Sequence, residues 1–270
     1  MLTNKRIVIK LGTSTLTHAT GKFNYHRMET IIRAISDVQG AGNEVILVTS
    51  AAISAGTAKM GLSSRPTELK YKMAIAAVGQ ASLMHVYDTL FSEYHRTVAQ
   101  ILLTGDNVEN EDEARYLTNT FDALLSMKVI PIVNENDSVS SAEIESGSHK
   151  VLGDNDTLSA IVAKLCHADL LVLVTDINGL YDGDPRVNPL ARPIPEVNEL
   201  TREIYEMAGG AGTRRGTGGM LTKLEAAAIA MDAGIDMYVI NGDNIENLYS
   251  IFEGRRTGTL FRRGEKYDST

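Results

Sequence analysis

Ile7-Val8-Ile9-Lys10-Leu11-Gly12-Thr13-Ser14 is a short apolar run, interrupted by one lysine, that ends on a glycine and two hydroxyl residues. An apolar run of this length without polar alternation reads as a strand buried on both faces, the pattern of a parallel sheet. The next segment has a different period. Met28, Ile31, Ile32 and Ile35 share one face of a helix expected over 25–38, which Asn24 is placed to cap and Gly40-Ala41-Gly42 to end. A second apolar run follows at 45–49. The alternation continues, with strands expected at 98–103, 129–133, 170–175 and 237–240, and helices at 69–94, 111–127, 156–167, 220–233 and 245–252. Strand, helix, strand repeated in this way implies an α/β fold with a mostly parallel, open sheet covered on both faces.

The chain has 270 residues, a formal charge of −8, 43% hydrophobic and 22% charged residues. These values suit a globular protein with a large core and exclude disordered or fibrous classes. The acidic balance argues against nucleic acid or an anionic membrane as partner, yet leaves room for a phosphorylated ligand that needs only a few local cations. Cys166 is the single cysteine, so no intramolecular disulfide can form. With no signal-peptide pattern, and an apolar stretch at 170–174 too short to span a bilayer, a cytoplasmic location is expected.

Open parallel sheets bind ligands at the carboxyl ends of their strands. The residues following the expected strands are polar or small: Gly12-Thr13-Ser14, Ser50-Ala51-Ala52, Asn134-Glu135-Asn136-Asp137 and Asp176-Ile177-Asn178-Gly179. Several familiar sites are missing. No G-x-x-x-x-G-K-[ST], no G-x-G-x-x-G after the first strand, no G-x-S-x-G elbow and no H-E-x-x-H occurs. His149, in a polar loop, and His167, at a helix end, read as surface or helix-end residues.

Four constellations carry chemistry. Lys10 lies inside an apolar strand, where an ammonium is costly unless an anion compensates it; a lysine reaching solvent at a strand edge is the alternative. Residues 209–223, GGAGTRRGTGGMLTK, run glycine-rich into a helix, which makes an anion cradle or else a flexible linker. Lys223 is expected in the first turn of that helix, where a cation opposes the dipole unless an anion is bound. Gly153-Asp154-Asn155-Asp156 opens another helix with more acid and amide groups than capping requires, although Asp156 also suits a plain first-turn acid. The small residues 51–56 after the second strand permit close ligand approach or helix packing. Two lysines, glycine cradles and few candidate bases suit phosphoryl transfer, and an ionised carboxylate acceptor would need no base at all.

The blocks Ile9–Ser14, Pro131–Asp137, 153–160 and 216–223 together resemble the amino acid kinase family, and Ala77-Val78-Gly79-Gln80, Leu173–Asp176, Gly179–Tyr181 and 184–186 stand in that family's order. The resemblance covers about residues 5–261. It implies a three-layer αβα sandwich forming one kinase domain over 1–261, an N-terminal lobe to about 167 for glutamate and a C-terminal lobe over 168–261 for ATP, then a polar tail at 262–270. Many members of the glutamate-phosphorylating branch carry a further C-terminal PUA domain, and none is expected here. The implied reaction is ATP-dependent phosphorylation of the γ-carboxylate of L-glutamate, the first step of proline synthesis. Acetylglutamate, carbamate or UMP as acceptor, or a catalytically inactive nucleotide-binding regulator, are the alternatives.

By the same resemblance, Lys10, Lys223 and Asp156 are catalytic: the lysines neutralise the transferring phosphoryl group and Asp156 orients them. Ser50, Ala51, Asn134, Asp137, Asp154 and Asn155 are expected around glutamate. Lys10, Gly12, Thr13, Thr175, Asp176, Thr217, Gly218, Gly219, Met220, Leu221, Thr222 and Lys223 are expected around ATP. Mg²⁺ is expected on the phosphates with no dedicated protein site, proline as feedback inhibitor, and a homo-oligomer, dimer or tetramer. Two departures stand out: Ala51 where the family usually has glycine, which could crowd a backbone contact or restrict the turn, and Gly105 where many members carry arginine.

Overall fold

A computed structural model describes residues 2–139, 154–185, 187–209 and 218–262. The first strand, β1 (Arg6–Leu11), leads through a single helical turn, α1 (Thr13–Leu16), to α2 (Tyr25–Gly40) and β2 (Glu44–Val48). Then come α3 (Ala52–Lys59), α4 (Leu69–Ser92), β3 (Val98–Leu103), α5 (Gly105–Glu109), α6 (Glu111–Ser126) and β4 (Ile130–Glu135). The remainder holds α7 (Asn155–Leu165), β5 (Leu170–Thr175), β6 (Leu180–Tyr181), β7 (Pro193–Ile194), β8 (Glu196–Val197), α8 (Arg202–Gly209), α9 (Gly218–Asp232), β9 (Asp236–Asn241), α10 (Glu246–Phe252) and β10 (Thr259–Phe261).

Eight strands form one sheet in the order β3-β4-β2-β1-β5-β9-β10-β8, and β6 pairs with β7 in a separate ribbon. Every pairing in the large sheet is parallel except β10 on β9. Helices cover both faces. Phe121 of α6, Leu158 of α7 and Leu224 of α9 pack in the core on one side. Ile32 of α2, Phe91 of α4 and Phe252 of α10 pack on the other. This is the expected three-layer αβα sandwich.

The six expected strands are present, β3 and β5 at the expected residues and the other four with ends shifted by one or two residues. The largest consequence is at β4, which continues through Asn134 and Glu135 rather than ending at Val133, so Asn134 is a buried strand residue and not part of a loop. The helix over 220–233 begins earlier, at Gly218, which moves Lys223 from the first turn to the second. Among the described residues four helices and four short strands lie outside the expected set. Among them α3 is built almost wholly from small residues, which give no amphipathic stripe to read.

Strand alternation sets the site. Ile7 and Ile9 of β1 point to the side of α2 and α4, and Val8 to the side of α7 and α9. Lys10 shares the face of Val8 by the two-residue period of a strand. It stands between Val48 of β2 and Leu173 of β5, at the carboxyl ends of three neighbouring strands.

Candidate active site

Asp156 lies in the first turn of α7, whose N-cap is Asp154: the Asp154 carboxylate accepts the backbone N–H groups of Asp156 and Thr157 at 2.9 and 3.1 Å. Capping is thus carried by Asp154, and Asp156 is left for other partners. The Lys10 ammonium is 2.6 Å from Asp156 Oδ1, and Lys223 Nζ is 3.0 Å from Oδ2. All three side chains are buried, Asp156 to within 2% of completely. Burial alone would raise the Asp156 carboxyl, but the charges of Lys10 and Lys223 outweigh it and hold the group below the usual carboxylate range.

Lys223 reaches this point from the second turn of α9 because helical side chains lean toward the N-terminus. Its Nζ donates to the carbonyl of Gly219 at 2.7 Å as well as to Asp156, so an ammonium sits over the first turn, where the helix dipole is positive. The neighbouring Thr222 hydroxyl, 3.2 Å from Asp156 Oδ2, adds a third donor to the carboxylate. The cluster Lys10–Asp156–Lys223 carries a net positive charge in a buried place, an arrangement that favours an anion between the ammonium groups.

Two cavities flank this cluster. One, of about 290 Å³, is lined by Lys10 and Thr13 and by Ser50, Ala51, Asn134, Asp137, Asp154 and Asn155. The other, of about 530 Å³, is lined by Thr175, Asp176, Gly219, Met220 and Lys223 among others. Lys10 therefore faces the first cavity and Lys223 the second, with Asp156 joining them. The expected glutamate residues all line the smaller cavity. Of the residues expected around ATP, Thr13 lines the smaller cavity, Leu221 is exposed on α9, and Gly12 backs Lys10, its amide donating to the carbonyl of Val174 at 3.4 Å. Thr217 lies outside the described residues, as do Gly153, His149, Arg186, Arg214 and Arg215.

Hydrogen bonds fix the wall of the smaller cavity. The side-chain NH₂ of Asn155 donates to the carbonyl of Thr49 at 2.8 Å, to Ser50 Oγ at 2.7 Å and to Asn134 Oδ1 at 3.2 Å. The Thr49 hydroxyl meets the buried Tyr87 hydroxyl at 2.7 Å. Ala51 is the N-cap of α3 with φ +82°, a left-handed conformation that costs a β-carbon roughly 1–2 kcal/mol. Of the two effects expected of alanine here, the backbone shows the restricted turn: a strained conformation beside Ser50. Two lining residues escaped the sequence reading. Glu135 has no role of its own in the sequence pattern, and Arg65, between α3 and α4, belongs to no motif. Arg65 is exposed and makes no hydrogen bond or ion pair among the described residues. Cys166 takes no part: it is buried, and burial pushes its thiol up to about 12.

Residues 5–241 match the amino acid kinase family. The chain belongs to that family. It is 51% identical over 264 residues to the glutamate 5-kinase of Clostridium perfringens, covering 97% of both chains. It is 47% identical over 258 residues to the glutamate 5-kinase of Listeria monocytogenes, covering 96% of this chain and 93% of that one. Against the glutamate 5-kinase of Carboxydothermus hydrogenoformans it is 50% identical, covering 95% of this chain and 68% of that relative. Solved structures share the family's fold at much lower identity. A carbamate kinase from Giardia lamblia bound to AMP-PNP superposes with a TM-score of 0.66 at 17% identity, covering 96% of this chain and 99% of that one. A UMP kinase from Ureaplasma parvum gives 0.63 at 14% identity, covering 97% and 100%. Among the described residues no helix is long and apolar enough to cross a membrane.

Proposed function

We propose that this member of the family transfers the γ-phosphoryl group of ATP to the γ-carboxylate of L-glutamate, giving L-glutamyl 5-phosphate and ADP. One observation carries the reading: two cavities of unequal size meet at a buried Lys10–Asp156–Lys223 cluster, one ammonium facing each. The smaller cavity takes the amino acid and the larger the nucleotide. The residues lining the acceptor cavity all precede 168 and those lining the nucleotide cavity all follow it, which supports a division into an acceptor-binding part, 1–167, and a nucleotide-binding part, 168–261.

The acceptor carboxylate is ionised at neutral pH, from an ordinary value of about 4.3, so no general base is required. One of its oxygens attacks the γ-phosphorus as the bond from that phosphorus to the β–γ bridging oxygen breaks, and ADP leaves with the electron pair. Lys10 holds the acceptor end and Lys223 the phosphoryl end, so charge that spreads over the equatorial oxygens meets two fixed cations. Asp156 keeps both ammonium groups in register. With both its oxygens engaged by lysines, Asp156 is not a free metal ligand, and among the described residues no three His, Cys, Asp or Glu side chains gather to hold an ion. A Mg²⁺ carried on the nucleotide phosphates would supply further charge neutralisation there.

The acceptor cavity also suits the rest of the amino acid. Glu135, Asp137 and Asp154 favour an α-ammonium and disfavour an N-acylated amine, and Arg65 can take the α-carboxylate in a bidentate pair. Arg65→Met is expected to raise the glutamate KM about 10-fold, the lower end for a hydrogen bond to a charged group, while kcat and the ATP KM stay within about 2-fold. Steady-state kinetics in both substrates checks this, and an unchanged glutamate KM removes Arg65 from the site.

The function itself is tested by trapping. Protein, ATP, Mg²⁺ and glutamate with hydroxylamine should yield the γ-hydroxamate, with no comparable product from acetylglutamate, carbamate or UMP. Proline offers the same α-carboxylate and an ammonium but no acceptor, so it should compete with glutamate and not with ATP. Absence of glutamate-dependent ADP and hydroxamate would overturn the reading.

A further inference from the structure

Gln80 lies on α4, outside the cluster that performs the transfer, and it is buried to nine-tenths. Its seat is rigid. A β-carbon on the preceding Gly79 would stand 1.7 Å from the carbonyl oxygen of Ala52, and one on Gly56 would stand 2.0 Å from that of Ile75. The backbones of α3 and α4 are therefore in direct contact, and Gln80 is held at a fixed distance from the strand end that carries Ser50.

From that seat Gln80 Oε1 accepts the side-chain NH₂ of Asn134 at 2.9 Å. This bond closes a row of amides whose direction has one solution. The carbonyl of Thr49 can only accept, so Asn155 must turn its NH₂ toward it. That NH₂ also faces Asn134, which must then present its oxygen to Asn155 and its own NH₂ to Gln80. Gln80 has to answer with its oxygen, and its Nε2 is left buried with no partner. A buried donor without an acceptor is destabilising, and an apolar residue of similar shape would avoid it. What a leucine cannot supply is the oxygen that holds Asn134.

We infer that Gln80 is a positioning residue for glutamate binding, its side-chain oxygen holding the NH₂ of Asn134 so that the Asn134 oxygen stays turned toward Asn155 in the acceptor cavity. The inference rests on the glutamate reading above. Without that oxygen Asn134 can rotate its amide and oppose NH₂ to NH₂ with Asn155, and the row loses its single orientation. Asn134, Asn155 and Ser50 all line the acceptor cavity and none lines the nucleotide cavity, so the effect belongs to one substrate.

Gln80→Leu and Gln80→Met are expected to raise the glutamate KM about 10-fold with kcat and the ATP KM within about 2-fold, and to stay folded with an unfolding temperature near that of the wild type, because the orphan donor at Gln80 Nε2 is removed while the Asn134 NH₂ loses its acceptor. Gln80→Glu, which keeps an oxygen toward Asn134, should recover most of the loss. In an Asn134→Ala background, Gln80→Leu should add nothing, since its route is removed. An unchanged glutamate KM, an equal rise in the ATP KM, or full additivity with Asn134→Ala overturns the inference. Failure of both apolar variants to fold overturns it too, by making the role structural. If wild-type protein turns over no glutamate, the underlying reading fails and this one with it; if it does and Gln80→Leu matches it, Gln80 alone is refuted.

Discussion

Lys223→Ala is expected to lower kcat about 10³-fold, with a smaller change in either KM. Removal of one preorganised donor to developing charge costs about 10²–10³ in kcat in comparable sites, and a full cation aimed at a phosphoryl group belongs at the upper end. The geometry makes the loss specific. Lys223 Nζ is held by Asp156 Oδ2 and the Gly219 carbonyl, at the wall of the nucleotide cavity and on the side of Asp156 away from Lys10. Among the described residues no other lysine lines that cavity to replace it. Folding survives, because Asp156 keeps its 2.6 Å pair with Lys10 and no buried charge is left alone. Initial rates of ADP and hydroxamate formation, with a thermal unfolding curve as control, measure both halves. A kcat within 10-fold of wild type in a folded variant would remove Lys223 from the transfer step.

Lys223 stands out in the sequence for a physical reason. A cation in a glycine-rich helix start and another inside an apolar strand are expensive without an anion, so both point to a site. Asp156 was legible as a surplus acid, since Asp154 alone suffices to cap α7. The fold was legible where burial leaves a continuous apolar run: β3 and β5 fall at the expected residues. It was opaque where packing uses small side chains. Helix α3 meets α4 through Gly56 and Gly79, a contact written in the absence of side chains.

Arg65 and Gln80 were opaque for another reason. Their meaning depends on what the fold brings near from far along the chain: Gln80 bonds Asn134 across 54 positions, and Arg65 lines the same cavity as Asn155. Neither spacing leaves a periodic or compositional trace. Ala51 shows a third kind of limit. Its identity is plain in the sequence, but the cost of alanine there depends on φ +82°, which only the turn into α3 imposes.

Asp156→Asn should be the most damaging single change to the fold and the chemistry together. The variant buries two ammonium groups beside one another with no counter-charge, and breaking a buried pair in this way costs about 3–5 kcal/mol. For a chain of this length that is a fall in Tm of about 10 °C. Turnover is lost as well, because an amide cannot hold both lysines. Two further signs separate this from ordinary destabilisation. ATP brings phosphate charge to the place the carboxylate has left, so saturating nucleotide should raise the Tm of the variant by more than that of the wild type. The second sign is in acid. In the wild type the Asp156 carboxyl is depressed by Lys10 and Lys223, so its contribution is present above the unfolded value near 4 and is lost as pH falls through the lower folded value. Stability of the wild type should therefore fall more steeply below about pH 4 than that of Asp156→Asn, which has no proton to take up at this position. Thermal unfolding from pH 3 to 7, with and without ATP, reads all of this. A variant that melts within about 2 °C of wild type, gains no extra protection from ATP and keeps the same acid slope would mean that Asp156 does not bind the two lysines into one charged unit.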